Sequence, residues 1–180
     1  MPNIIYIATS LDGFIATEDD GLDWLMTVPN PDQSDYGFKD FMDDIDALVM
    51  GRRTFEQVMK FDVWAYDKPV FVLSKTMDKV PLKFADKAEV INDEIQSVAK
   101  QLNARGFKRL YIDGGVTIQS FLKHDLIDEM VITRVPILLG SGIPLFDNSH
   151  HILEFSHVQT EVLNKHLVKS HYKRIRTTNT

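Results

Sequence analysis

The chain has 180 residues, 44% of them hydrophobic and 26% charged, which is enough apolar material for one buried core, so a single domain over residues 1–180 is expected. There is no cysteine, which excludes disulfides, thiolate nucleophiles and zinc–thiolate sites. The formal net charge of -6 argues against a nucleic-acid partner; with no basic leader and no apolar run of about 18 residues, a cytoplasmic chain with no membrane partner is expected.

Ile4, Ile5, Tyr6, Ile7 and Ala8 read as a buried strand, followed by a long loop punctuated by Asp12, Gly13, Gly21, Pro29 and Pro31. Phe38, Phe41, Met42 and Ile45 then recur at helical spacing. A strand over 47–50 runs into a helix over 52–59, and Pro69 opens a strand over 70–73. Residues 89–91 predict another strand. The helix after it has Ile95, Val98, Ala99 and Leu102 on its apolar face and closes at Arg105 and Gly106. A strand over 110–112 and a helix from Gly115 follow. From Met130 the pattern is β only, over 130–135, 153–163 and 166–175, with Asn164 and Lys165 as a tight turn between the last two. Residues 177–180 are expected to fray. Early alternation of strand and helix with a closing hairpin predicts an α/β fold.

Lys165, Lys169, Lys173, Arg174 and Arg176 crowd the last stretch and read as solvent-facing residues of edge strands, with a basic patch for an anionic partner as the alternative. His150 and His151 face opposite ways on an extended segment, and His157, His166 and His171 lie on the terminal strands. Surface or rim positions are expected for them, and no metal site.

Two glycine-marked strand-to-helix junctions carry the functional information. Val49 and Met50 lead into Gly51, Arg52, Arg53 and Thr54; Leu110, Tyr111, Ile112 and Asp113 lead into Gly114, Gly115, Val116, Thr117 and Ile118. Glycine lets backbone approach a ligand closely, and a helix start offers free N–H groups to phosphate. Two such junctions can hold the two ends of a dinucleotide. Leu73, Ser74 and Lys75 end a third strand with a hydroxyl and a cation, which adds phosphate contacts. The glycine fingerprint of an ordinary dinucleotide domain, the phosphate loop of nucleotide hydrolases and the G-x-S-x-G elbow are all missing.

These segments carry a resemblance. Ser10 to Ala16, Met50 to Glu56, Val72 to Lys75, and Gly114-Gly115 recur in this order in the dihydrofolate reductase fold. The stretch from Asp113 through Leu126-Ile127-Asp128-Glu129 to Pro136-Ile137-Leu138-Leu139-Gly140-Ser141-Gly142-Ile143-Pro144-Leu145-Phe146 resembles one branch more closely. That branch is the reductase domain of the bifunctional riboflavin-biosynthesis deaminase–reductase and its free-standing bacterial relatives. The resemblance runs from Ile4 to about Arg176 and implies a central, mixed, mostly parallel sheet flanked by helices with a C-terminal antiparallel hairpin. It implies NADPH bound along the carboxyl edge of the sheet. Gly51, Arg52, Arg53 and Thr54 would meet its phosphates. Leu73, Ser74 and Lys75 would surround the adenosine, with Lys75 or an arginine of the first junction at the 2′-phosphate. Asp113, Gly114, Gly115, Val116, Thr117 and Ile118 would cover the pyrophosphate from the other side; Ile7, Ala8 and the 12–15 loop with Ile15 would flank the nicotinamide. A homodimer is implied as well, in keeping with the late apolar residues Ile132, Val135, Ile137 and Leu139.

The implied activity is reduction of a small heterocycle, as by a 5-amino-6-(5-phosphoribosylamino)uracil reductase. The alternatives are a dihydrofolate or pterin reductase and a non-catalytic NADPH-binding protein. The deaminase half of the riboflavin enzyme needs cysteine-bound zinc, which this chain cannot supply. Counting back from Gly51 places Asp35 at the carboxylate that dihydrofolate reductases use to assist protonation; a helix cap is the alternative. Thr133 matches the threonine that supports that carboxylate, or is a plain strand residue. Leu22-Asp23-Trp24-Leu25 stands where a folate enzyme has a Pro-Trp pair, a departure from the folate pattern. Arg134 is the candidate anchor for a substrate phosphate.

Overall fold

In chain order the elements are β1 (Asn3–Thr9), β2 (Phe14–Ala16), α1 (Phe38–Asp43), β3 (Ala47–Gly51), α2 (Arg52–Val58), β4 (Val70–Leu73), β5 (Ala88–Ile91), α3 (Ile95–Ala104), β6 (Leu110–Asp113), α4 (Gly115–Lys123), β7 (Glu129–Arg134), β8 (Ile143–Pro144), β9 (Phe155–Leu163) and β10 (Leu167–Arg174). The computed structural model describes residues 2–148 and 151–176; His150 and the 177–180 tail lie outside the described residues. Eight strands form one sheet in the order β5-β4-β3-β6-β1-β7-β10-β9. The first six are mutually parallel, β10 is antiparallel to β7, and β9 is antiparallel to β10. The sheet is therefore mixed and mostly parallel, with a C-terminal antiparallel hairpin.

The parallel strands have no polar face because both sides are covered. Leu48 and Met50 point toward α1 and α2, where they pack with Met42, Phe55 and Val58. Ala47 and Val49 point the other way, toward Val98 and Leu102 of α3 and Ile118 and Phe121 of α4. Phe121 is fully buried, and Phe121→Ala would cost about 3–5 kcal/mol. α3 stops where Gly106 turns left-handed (φ 98°). There the Phe107 N–H donates to the Leu102 carbonyl (3.1 Å) and the Gly106 N–H to that of Asn103 (2.9 Å). Asn164 and Lys165, with φ of 48° and 61°, turn the three-residue connection between β9 and β10, where the His166 N–H donates to the Leu163 carbonyl (3.0 Å).

Two features depart from the sequence expectation. The short β2–β8 ladder was not foreseen, since three residues facing two carry no readable periodicity. The terminal cations are not all solvent-facing either. Lys169 is 14% exposed and reaches Glu161, and Arg174 is 11% exposed and reaches Asp125, each at 2.7 Å. Acidic neighbours on adjoining segments neutralise the basic stretch.

The long loop after β1 is tied down at both ends. The Asp12 carboxylate accepts hydrogen bonds from the Ser10 hydroxyl and from the Leu139 and Gly140 N–H groups, which hold it below the usual carboxylate range. Trp24, in a 3₁₀ turn (Asp23–Thr27), is buried with Val135 and Leu167. Among the described residues no helix is long and apolar enough to cross a membrane.

Candidate active site

The parallel strands β5-β4-β3-β6-β1 present their carboxyl ends to one edge, and a cavity of about 750 Å³ follows that edge. It begins at Leu73, Ser74 and Lys75, past β4, and at residues 91–95, past β5. It then passes the starts of α2 and α4 and ends at Ile7 and Ala8 of β1, against Ile15, Leu22 and Leu25 of the first loop. Gly51, Arg52, Arg53, Thr54, Asp113, Gly114, Gly115, Val116 and Thr117 line the middle. Of the residues expected at the cofactor, Ile118 lies elsewhere, fully buried on the α3–α4 side, and Asp12, Gly13 and Phe14 of the 12–15 loop are also off the cavity lining. The place of Ile118 is the inward face of α4, with Phe121 and Leu122.

The two junctions fit into each other. Gly114 has φ 86°, and a Cβ there would lie 2.2 Å from Thr54 Oγ1 at the start of α2. A Cβ on Gly51 would lie 3.1 Å from Thr117 Oγ1 at the start of α4. Each helix thus places a threonine against the other's glycine, and only glycine allows the approach at Gly114. Neither N-cap, Gly51 or Gly114, puts a side chain on the first-turn N–H groups. Both helix starts therefore offer uncapped donors to the cavity, which suits phosphate. Three cations stand along it, each paired: Arg52 with Glu56 (3.5 Å), Arg53 with Asp20, and Lys75 with Glu94 (3.6 Å). Exposed pairs of this kind are weak, so an anion displaces the acid at little cost.

On the α1–α2 side the cavity wall changes character. Tyr6, Tyr66 and Tyr111 line it with Val58, Phe61 and Asp113. Asp113 closes β6, half-buried with the cavity on its open side, and its carboxylate accepts the Gly114 N–H at 2.8 Å. Desolvation pushes this carboxyl above the usual range, against the opposite pull of that hydrogen bond. Burial, then the nearby Asp113 charge, pushes the Tyr66 and Tyr111 hydroxyls up. Tyr6 is pushed up to about 12 by burial and then by Asp35 and Glu161. All three tyrosines stay protonated at neutral pH, with Tyr111 donating to the Tyr6 carbonyl (3.0 Å) and Tyr6 to that of Tyr36 (2.9 Å). A desolvated acid beside a cavity can hold a proton and deliver it.

Asp35 is not part of this arrangement. It is exposed and off the cavity lining. One carboxylate oxygen accepts the Gly37 N–H and the other the Lys39 N–H, both at 2.9 Å, which caps the turn into α1 and lowers its pKa. A gapless count from Gly51 could not anticipate the left-handed turn at Tyr36 (φ 57°) and Gly37 (φ 85°) that sets this geometry. Thr133 is buried in β7 between Ala8 of β1 and Lys169 of β10 and also lies off the cavity lining. Arg134 beside it is exposed and likewise outside. The burial of Asp113 beside Tyr66 and Tyr111 on this wall was missed. The one available signal was an aspartate ending an otherwise apolar strand.

Residues 3–169 match the model of the RibD C-terminal domain. The uncharacterized Bacillus subtilis (strain 168) protein YwjB is 36% identical over 146 residues, covering 79% of this chain and 81% of its own length. The crystal structure of a putative riboflavin biosynthesis protein from Shewanella sp. PV-4 superposes with a TM-score of 0.94 at 53% identity, over 98% of this chain and 100% of that one. A diaminohydroxyphosphoribosylaminopyrimidine deaminase/5-amino-6-(5-phosphoribosylamino)uracil reductase from Thermotoga maritima superposes with a TM-score of 0.72 at 16% identity. That match covers 97% of this chain but 57% of the longer Thermotoga chain, and it supports the fold alone.

Proposed function

The chain belongs to the RibD C-terminal domain family, and from that premise we propose that it is an NADPH-dependent reductase acting on a small heterocycle, resembling the 5-amino-6-(5-phosphoribosylamino)uracil reductases. The observation that carries this is one cavity containing two uncapped helix starts and, beside them, a desolvated carboxyl. Bound NADPH supplies the hydride. The first-turn N–H groups of α2 and α4 would take its phosphates, and Arg52, Arg53 and Lys75 would exchange their acidic partners for the 2′-phosphate. Ile7, Ala8 and Ile15, at the β1 end of the cavity, would wall the nicotinamide.

Reduction of a C=N or C=O bond adds two electrons and one proton with the hydride at carbon, and a second proton at the heteroatom. Asp113, whose carboxyl desolvation pushes toward the protonated form, would pass a proton from its carboxyl oxygen to that heteroatom as the bond is reduced, and water would restore it. Leu22, Leu25, Val58 and Phe61 give the cavity apolar walls that would lower the local dielectric once ligands cover them, which would strengthen these contacts. The folate reading loses its carboxylate, because Asp35 is engaged as a cap.

The outer edge of β9, which pairs with no strand among the described residues, and the exposed Val158, Val162 and Val168 support a second proposal, pairing of two copies through this end of the sheet. Steady-state NADPH oxidation against pyrimidine, pterin and quinone acceptors tests the main reading. Turnover of a heterocycle is expected; NADPH binding with no turnover of any acceptor would favour a non-catalytic binder.

A further inference from the structure

We infer that Asp20 is a built-in competitor for a phosphate of the dinucleotide, so that a phosphate reaching Arg53 frees the first loop from α2. This rests on the reductase reading and adds to it an acid that must leave before the cofactor is seated. The three ion pairs along the cavity are not equivalent. Arg52 and Glu56 lie four positions apart on α2, and Lys75 and Glu94 join the segments just past β4 and β5. Arg53 and Asp20 instead tie α2 to the first loop, 33 positions away. The Asp20 side chain is 24% exposed, against 75% for Glu94, and like Arg53 it lines the cavity.

The backbone around Asp20 holds that carboxylate on a closed turn. Asp20 is left-handed (φ 65°), and its N–H donates to the Thr17 carbonyl (3.1 Å). The Thr17 N–H donates to the Gly21 carbonyl (3.1 Å), and the Gly21 N–H to Thr17 Oγ1 (2.8 Å). Three internal hydrogen bonds make the turn move as a unit. Leu22 and Leu25, two and five residues further on, belong to the cavity wall at its β1 end. A phosphate and the Asp20 carboxylate cannot share one guanidinium cheaply, because like charges a few ångströms apart repel and partial burial weakens the screening. The carboxylate therefore leaves as the phosphate arrives, and the turn and the wall residues after it are released from α2. By linkage, the pair weakens phosphate binding by the same factor that phosphate weakens the pair.

Two measurements test this. In the cofactor-free protein, amide exchange read by mass spectrometry should rise across residues 17–28 in both Asp20→Asn and Arg53→Gln, with α3 unchanged. In calorimetric titration, Asp20→Asn should bind NADPH about three- to tenfold more tightly than wild type does. A gain for NADPH alone is expected, from the 2′-phosphate; an equal gain for NADH gives the same competition at the pyrophosphate. The gain should vanish when Asp20→Asn is made in the Arg53→Gln background, where the acid has no cation to compete for. Unchanged or weaker NADPH binding by Asp20→Asn, or a gain that persists without Arg53, overturns the inference, as does unaltered exchange across 17–28. Failure of both dinucleotides to bind wild type and variant would instead remove the reductase reading, while the exchange data still decide whether the pair holds the loop.

Discussion

Asp113→Asn separates the catalytic and structural consequences of one side chain. Asparagine has nearly the same shape and can still accept the Gly114 N–H, but it has no proton to give. Loss of a positioned acid lowers turnover by about 10²- to 10⁴-fold, or roughly 3–5 kcal/mol of barrier at about 1.36 kcal/mol per decade. Stability moves the other way. The folded carboxyl titrates above the unfolded value of about 3.9. Between those two values the folded state binds more protons than the unfolded chain, so wild-type stability declines as pH rises through that window and stays lowered above it. Asparagine does not titrate. The variant should therefore gain stability relative to wild type as pH is raised from about 4 to about 8, by about 1.36 kcal/mol for each unit of pKa elevation. Denaturant unfolding at both pH values, with steady-state turnover of a confirmed acceptor, reads both effects. Unchanged turnover together with a pH-independent stability difference would refute the role given to Asp113.

Gly114→Ala should lose about 2–3 kcal/mol from the left-handed backbone and the contact with Thr54, lowering the melting temperature by roughly 4–12 °C. Adding Thr54→Ala should restore part of that loss, and a silent Gly114→Ala would contradict the junction geometry. Asp35→Asn should leave turnover and NADPH affinity unchanged, because asparagine caps as well as aspartate; a hundredfold loss of turnover would return Asp35 to the site. Light scattering at micromolar concentration should give close to twice the chain mass of 20.6 kDa, and a monomer would contradict pairing through the β9 end.

How far the sequence could be read depended on the range of the interactions involved. Parallel strands announced themselves as unbroken apolar runs, and helices by their spacing, since both patterns are local. The Asn164-Lys165 turn was legible for the same reason. The cavity residues were legible because glycine and the residues after it mark strand-to-helix junctions, and parallel topology brings those junctions to one edge. The cap at Asp35 was not, because loop length decides which carboxylate meets which neighbour. Nor could spacing show that Lys169 would be enclosed by Glu161 and Tyr36, which are separated from it by 8 and 133 positions and meet it only after folding. The raised pKa of Asp113 is likewise a product of tertiary burial, invisible until Tyr66 and Tyr111 are placed beside it.

The central claim is that the glycine-junction cavity is a nicotinamide dinucleotide site with a place for the 2′-phosphate. Calorimetric titration of the protein with NADPH and with NADH tests it most directly. Micromolar NADPH binding, about -8 kcal/mol, is expected, with NADH weaker by roughly 1.5–3 kcal/mol for the lost charge-assisted contact. Equal affinities would remove the roles of Arg52, Arg53 and Lys75 at the 2′-phosphate, and no binding of either dinucleotide would contradict the account.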